Sequence, residues 1–355
     1  MNKRAISIIL IASVFSFLLT GCSKGEKDVK NNNISDSDEQ SNEIISIFES
    51  IDAPKYKLKL GHVQTVTHSY HIGAQYFADK LSEESNGRIT VDVFPSSQIG
   101  NERDLAEGVQ MGTIDAAIVG VAVLANFDPT FEIFNLPFLF RDREHAYHVL
   151  DGSFGIDKFG NLEKFDITGL GYFENGFFDL LSNGLVDAPA DAVGMNVRTM
   201  ENSVYMGIFK AIGANPVPMS FNEVYTSLQN GTVDGACVSI TALAAPKFYE
   251  VASNFAIIEM CFSPTPLIIS KEVFNEMPKE YQELIKKVAK EAVDIQRLET
   301  IKQEEEAAEI MNKAGCFINT VKNKELWEKA IVDDVYRLVE GLVPKEDIET
   351  IKNTK

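Results

Sequence analysis

An eight-residue pattern occurs twice in this 355-residue chain, and it limits the fold more than any other feature. Gln110-Met111-Gly112-Thr113-Ile114-Asp115-Ala116-Ala117 returns as Gln229-Asn230-Gly231-Thr232-Val233-Asp234-Gly235-Ala236. Each copy ends a helix at glycine, which enters the left-handed conformation of a helix terminus without strain, and each then feeds a strand. Copies more than a hundred residues apart do not make a short-period solenoid; they point to two similar α/β lobes. A chain that is 45% hydrophobic and 24% charged has the material for two cores. Its formal net charge of −19 repels phosphate backbones and argues against nucleic acid as a partner.

The segments around the first copy read as strand 56–61, helix 68–85, strand 89–93, helix 103–111 and strand 114–120. In the first helix Ile72, Tyr76, Phe77 and Leu81 share a face. This β-α-β-α-β order predicts a mainly parallel sheet with helices on both faces. Residues 169–183 read as a strand crossing from the first lobe to the second, and 265–270 as an apolar return strand. Tyr281, Leu284, Ile285, Val288, Ala292 and Ile295 form one stripe between Pro278 and Gly315, which predicts a helix on the order of 50 Å long. We therefore expect lobe I at 55–175 with 264–277 returning to it, lobe II at 176–263, a long helix at 278–314, and a helical segment at 315–355 packing on lobe II.

Residues 189–239 carry the polar group of greatest interest. An extended run ends near Arg198, a Pro-punctuated strand passes through Pro216 and Pro218, and a helix opens with the capping pair Ser220 and Glu223. A strand in such a unit delivers its last residues to the carboxyl edge of the sheet, where open α/β folds bind ligands. A guanidinium there offers a planar fork that fits a carboxylate. From spacing alone, an arginine in a surface ion pair is the plainer reading of Arg198.

At the N-terminus, Lys3 and Arg4 precede an apolar run at 6–19, too short for a comfortable membrane span. Leu19-Thr20-Gly21-Cys22 resembles a bacterial lipobox, which implies a signal peptide at 1–22, cleavage before Cys22 and a lipid on its sulfur. An ordinary secretory signal or an uncleaved anchor is the alternative. Residues 23–54 are polar and read as a disordered tether. Cys237, Cys261 and Cys316 are then an odd set with no closed disulfide framework; they read as small buried residues, and pairing among them is left open.

No phosphate-binding loop, zinc-peptidase or dinucleotide motif is present, and no nucleophile, base and orienter combine into a catalytic triad, so no enzymatic activity and no cofactor are expected. His62, His68 and His71 lie close in sequence, and His145 and His148 share a helical face. No acidic or cysteine partner joins either group at ligand spacing, so no metal site is expected. His62, at the end of the first strand, is expected to line the cleft or its rim.

Gly-Met-Asn-Val-Arg at 194–198, the run from Ala211 to Gly235 (AIGANPVPMSFNEVYTSLQNGTVDG), FPSSQIGNER at 94–103, NLPFLFRD at 135–142, GYFENG at 171–176 and KFYEV at 247–251 fall in one order. Together they resemble the extracytoplasmic substrate-binding receptors of tripartite ATP-independent periplasmic (TRAP) transporters, the DctP family. The resemblance covers residue 56 to the end of the long helix. It implies a bilobed periplasmic-binding-protein-like α/β fold, with crossing strands and a long helix bracing both lobes. It also implies capture of a small organic carboxylate and delivery to the small and large membrane subunits of a permease. The same clam-shell feeding a membrane sensor kinase is the alternative.

Carried over position by position, the family's carboxylate-clamping arginine falls on Arg198, an aromatic that closes over the ligand on Phe221, and a polar first-lobe position on Glu102. The plainer alternatives are a hydrophobic staple for Phe221 and a solvated first-turn carboxylate for Glu102. Two positions depart from the family. Phe178 stands where many members carry a second arginine, and Val238 stands where many carry an amide. A pocket with one cationic clamp and apolar walls leaves a second carboxylate or sugar hydroxyls unpaired, at about 1–3 kcal/mol for each buried group. The expected ligand is thus a monocarboxylate with an apolar or aromatic body, in place of a C4-dicarboxylate or a sialic acid.

Overall fold

The computed structural model describes residues 53–244 and 247–355; the expected signal peptide, Cys22 and the expected tether up to residue 52 lie outside the described residues. Nine strands are found among them: β1 Tyr56–Gly61, β2 Ile89–Phe94, β3 Ala116–Ile118, β4 Ile167–Ser182, β5 Asn196–Thr199, β6 Asn215–Pro218, β7 Gly235–Val238, β8 Asn254–Ser270 and β9 Phe317–Thr320. The longer helices are α1 Ser69–Glu84, α2 Glu102–Gln110, α3 Arg143–Asp151, α4 Ser153–Leu162, α5 Ser203–Ala211, α6 Lys279–Lys313, α7 Lys324–Leu338 and α8 Lys345–Asn353. None of the described helices is long and apolar enough to cross a membrane.

All nine strands join one sheet in the order β2-β1-β3-β8-β4-β7-β5-β6, with β9 added on β8. One end is a parallel trio, β2-β1-β3, and the other a parallel trio, β7-β5-β6. Between them β4 and β8 run antiparallel. The last residues of β8 pair with β3, whereas the last residues of β4 pair with β7. Each long strand therefore belongs to both halves, which gives the fold two lobes joined by crossing strands.

The repeated octapeptide does the same work in each half. Gly112 and Gly231 both have positive φ, 69° and 73°, so both copies turn at the same point. The aspartate that follows then ties the new strand to its parallel neighbour. Asp115 Oδ2 accepts the Lys59 N–H of β1 at 2.7 Å, and Asp234 Oδ2 accepts the Asn196 N–H of β5 at 2.8 Å. In both cases the next residue along that neighbour is registered opposite the residue after the aspartate.

Helix α6 spans both lobes. Tyr281, Ile285, Val288 and Ala292 sit in a core with Leu58, Leu60, Phe77 and Ile269, while Met311, near the other end, packs with Val224, Leu228 and Phe255. At 35 residues it is about 50 Å long. It crosses β4 where that strand pivots: Gly176 has φ 73°, and the β4–β8 register shifts between Glu174 and Phe177. Glu174 anchors this point. Its carboxylate accepts Arg143 Nε at 3.0 and 3.1 Å and the Tyr147 hydroxyl at 2.8 Å, while its main chain is bracketed by the amide of Gln296 in α6. Arg143 Nη2 also donates to Glu304 of α6 at 2.6 Å.

Three expectations need correction. The return strand starts at Asn254, eleven residues before 265, because β8 continues through Pro264 and Pro266 as the inner partner of β4. Strand β3 is only three residues long, since Asp115 is engaged with β1 and Val119 N already turns to Pro266 O. The C-terminal segment, expected to pack wholly on lobe II, divides. Helix α7 lies along α5, but α8 is held by the other side: Arg141 Nη1 donates to Lys352 O at 2.9 Å, His145 Nε2 meets Ile351 O at 2.8 Å, and Lys158 pairs with Asp347 at 2.8 Å. Cationic and polar side chains gather at the carbonyl end of α8, as the helix dipole favours. Cys237, Cys261 and Cys316 are free and buried.

Candidate functional site

Arg198 is the third residue of β5, between Val197 and Thr199, and the middle strand position buries it to 4% exposure. Main-chain carbonyls hold its fork from two sides. Nε and Nη2 donate to Met219 O, just past β6, at 3.2 and 3.0 Å, and Nη1 donates to Cys237 O of β7 at 3.3 Å. A guanidinium has five N–H donors, so two remain. Among the described residues no carboxylate bonds this side chain. Burial pulls Arg198 down to about 10, which leaves it charged at neutral pH. It is a fixed, desolvated cation with spare donors.

Arg198 lines a cavity with about 430 Å³ of empty space, part of it open to solvent. Five of the six predicted ligand-binding residues line it: Arg198, Glu102, Phe178, Phe221 and Val238. Glu102 comes from the start of α2, where Asn101 and Asp104 form a reciprocal cap. Its Oε1 accepts Gly120 N at 3.1 Å; burial pushes its carboxyl up, while the Gly120 N–H and the nearby Arg198 oppose that. Phe178 projects from β4 against Tyr205, ring centroids 5.6 Å apart. Phe221 opens the turn after β6, where Glu223 accepts both the N–H and the hydroxyl of Ser220, and its ring lies 5.6 Å from that of Phe248. A second cavity of about 440 Å³ shares Glu102, Arg198 and Met200 and continues past Asn101, Asn126, Glu201 and Ser220. The cleft thus extends on both sides of the guanidinium.

The lobe faces are also pinned together beside the arginine. Glu132, buried in the 3-10 turn Pro129–Asn135, accepts Asn202 Nδ2 at 2.9 Å and Ser203 Oγ at 3.1 Å. Those two residues start α5, four and five positions after Arg198.

His62 does not line the cavity. Extended pairing continues through it, its N–H donating to Phe94 O, and its imidazole turns under α1 with Nε2 3.1 Å from His71 Nδ1. Burial first, then the neighbouring imidazoles, lower it to about 3, so it stays neutral. The chain reaches the cleft one residue later, at Val63 and Gln64.

Walls that are apolar apart from Arg198 were the other expectation that fails. Besides Phe178, Phe221, Val238 and Met200, the lining includes Gln64, Tyr70, Asn175, Ser239, Ser263 and Thr265. Tyr70 and Thr265 share a 2.6 Å hydrogen bond, and Asn175 Oδ1 accepts the Ser239 hydroxyl at 2.9 Å. Asn175 lies inside the GYFENG run and Ser239 directly after Val238, so their sequence positions pointed near the site. The contributions of α1 and β8 had no local signal.

A family model described as DctP, bacterial extracellular solute-binding protein, family 7, matches residues 60–340. The chain is 32% identical over 302 residues to the 2,3-diketo-L-gulonate-binding periplasmic protein YiaO of Escherichia coli K12, covering 85% of this chain and 92% of that one. Its fold is similar to a TRAP periplasmic solute-binding protein from Polaromonas sp. JS666 bound to D-erythronate, with TM-score 0.82, 32% identity, and coverage of 85% and 99%. A TRAP periplasmic solute-binding protein from Sulfurospirillum deleyianum with bound succinate is similar at TM-score 0.80 and 29% identity, covering 85% of this chain and 100% of that one.

Proposed function

The chain belongs to the bacterial extracellular solute-binding proteins of family 7, and on that premise we propose that Arg198 clamps the carboxylate of one small monocarboxylic acid in the cleft. As a TRAP-type receptor it works outside the cytoplasm, takes up a small organic acid between its two lobes and serves the small and large TRAP membrane subunits. Feeding a sensor kinase, the alternative output, has nothing in these likenesses behind it.

The observation that carries the clamp is the state of Arg198: 4% exposed, fixed by carbonyls, and bonded to no carboxylate among the described residues. Burying a charge without an ion partner is costly, and an incoming carboxylate offsets that cost. Closing the lobes along β4, β8 and α6 then removes water and strengthens the pair.

The choice of a monocarboxylate rests on the lining of the first cavity, whose sole cation is Arg198. A second carboxylate would meet Glu102 and Phe178 in place of a second arginine. The expected apolar or aromatic body is narrowed by the polar lining. One side of the ligand would face Phe178, Phe221, Val238 and Met200, and the other the hydroxyl and amide groups. In a thermal-shift screen, small monocarboxylates should raise the melting temperature more than succinate or sialate does. Strong stabilisation by succinate with none by any monocarboxylate refutes this choice.

We further read Cys22 as the lipidated residue, which would hold the receptor to the membrane through the tether at 23–54. The motivation is the Leu-Thr-Gly-Cys sequence. Intact-mass measurement of detergent-extracted protein should find a lipid on an N-terminal Cys22; a mature chain that starts elsewhere and partitions into the aqueous phase excludes it.

A further inference from the structure

We infer that Gln64 is a specificity-determining residue that reads a hydroxyl on the bound acid, so that the ligand is a hydroxy acid and not a plain aliphatic one. The inference rests on the reading of the cavity as a carboxylate site and adds the second group by which the ligand is recognised.

Gln64 lines the cavity and is only 3% exposed, yet its Oε1 has no hydrogen-bond partner. Among the described residues no hydrogen bond reaches either end of its side-chain amide. Buried amides are almost always bonded, and leaving one unpaired carries a desolvation cost. Most of the other polar groups of the lining already have partners within the protein. Tyr70 bonds Thr265, Ser239 bonds Asn175, Glu102 accepts Gly120 N, and Arg198 holds two carbonyls.

The position of Gln64 is fixed before any ligand arrives. Its carbonyl accepts Ser96 N at 2.9 Å, and two residues earlier the His62 carbonyl accepts Ser97 N at 3.2 Å. Ser96 and Ser97 both adopt left-handed φ, 55° and 58°, so the turn after β2 clasps this segment. His62 itself is held against His71. Such a support fixes the backbone that carries the amide, so that less ordering is left to the binding step.

An amide presents one acceptor and two donors, and an alcohol group both donates and accepts, so a hydroxyl can pair with either end of it. A methyl group in the same place leaves the amide unpaired. Sites built to bond a hydroxyl discriminate against the analogue that lacks it for this reason.

The test is calorimetry of the intact receptor with butanoate and its 2-, 3- and 4-hydroxy derivatives. For the wild type, at least one hydroxy acid should bind about tenfold more tightly than butanoate. Gln64→Met, nearly isosteric but apolar, should shrink that ratio to about twofold or less while the butanoate affinity holds. Gln64→Glu, which keeps an acceptor, should retain a hydroxyl preference and serves if the methionine variant folds poorly. A ratio unchanged in Gln64→Met, or a wild type that prefers none of the hydroxy acids, overturns the role of Gln64. Arg198→Ala separates the two claims: butanoate binding that survives it overturns the carboxylate clamp, while lost binding alongside an unchanged Gln64→Met ratio overturns only the hydroxyl reading.

Discussion

Arg143→Met lowers the free energy of unfolding by about 3–5 kcal/mol, the usual cost of removing one partner from a buried ion pair. The Glu174 side chain is 1% exposed and sits in β4 at the pivot between the lobes. Arg143 reaches it with Nε, and Tyr147 supplies a second donor. Without the guanidinium, the tyrosine hydroxyl alone would face a buried charge.

The pH dependence has a definite sign. Burial already pushes the Glu174 carboxyl above its ordinary value, with Arg143 the largest opposing influence. In the variant that opposition is gone, so the folded state binds a proton more readily than the unfolded chain. A raised carboxyl contributes stability below its unfolded value and loses it as pH rises through the folded one. The deficit should therefore be largest at neutral pH and shrink in mild acid. Urea unfolding at pH 7 and at pH 5 measures both effects, and adding Glu174→Gln should recover most of the loss at pH 7. A variant as stable as the parent at pH 7 would show that the pair does not hold the pivot.

Local signals made much of this fold readable. Gly112 and Gly231 announce the two equivalent turns, Ser220 marks a helix start, and the stripe from Tyr281 to Ile295 gives the long helix before any tertiary contact is known. Arg198 became a candidate only with the family resemblance, since spacing alone left it open as a surface ion-pair arginine.

What stayed hidden depends on partners distant in sequence. Proline has no N–H for a ladder, so Pro264 and Pro266 read as the boundary of a strand. In the structure they lie inside β8 opposite Glu174 and Tyr172, at the stretch where the long pair changes register. That continuation brings Ser263 and Thr265 to the cavity, and neither was expected there. His62 failed by one residue, because a strand end read from alternation is uncertain by about that much while side-chain direction reverses at each step. Helix α8 was assigned to the wrong lobe because the side chains that dock it, Arg141, His145 and Lys158, are roughly two hundred positions away.

Arg198→Met weakens ligand binding at least tenfold, and the typical cost of breaking a buried charged contact, about 2–5 kcal/mol, gives a larger loss still. The same change should leave the empty receptor folded. Two opposing effects meet there. The carbonyls of Met219 and Cys237 lose a donor, but the protein no longer buries a cation that no carboxylate bonds among the described residues. Methionine fills most of the vacated volume and remains flexible enough to adapt to it. Stability and binding thus part company at this position, unlike at Arg143, where a fault in the frame is expected to show in the melt first.

The most direct measurement is isothermal titration of wild-type and Arg198→Met receptor with the acid recovered from the purified wild type by gentle denaturation and identified by mass. If Arg198 is the clamp, the dissociation constant rises at least tenfold at an essentially unchanged melting midpoint, whereas equal dissociation constants for the two proteins would contradict it.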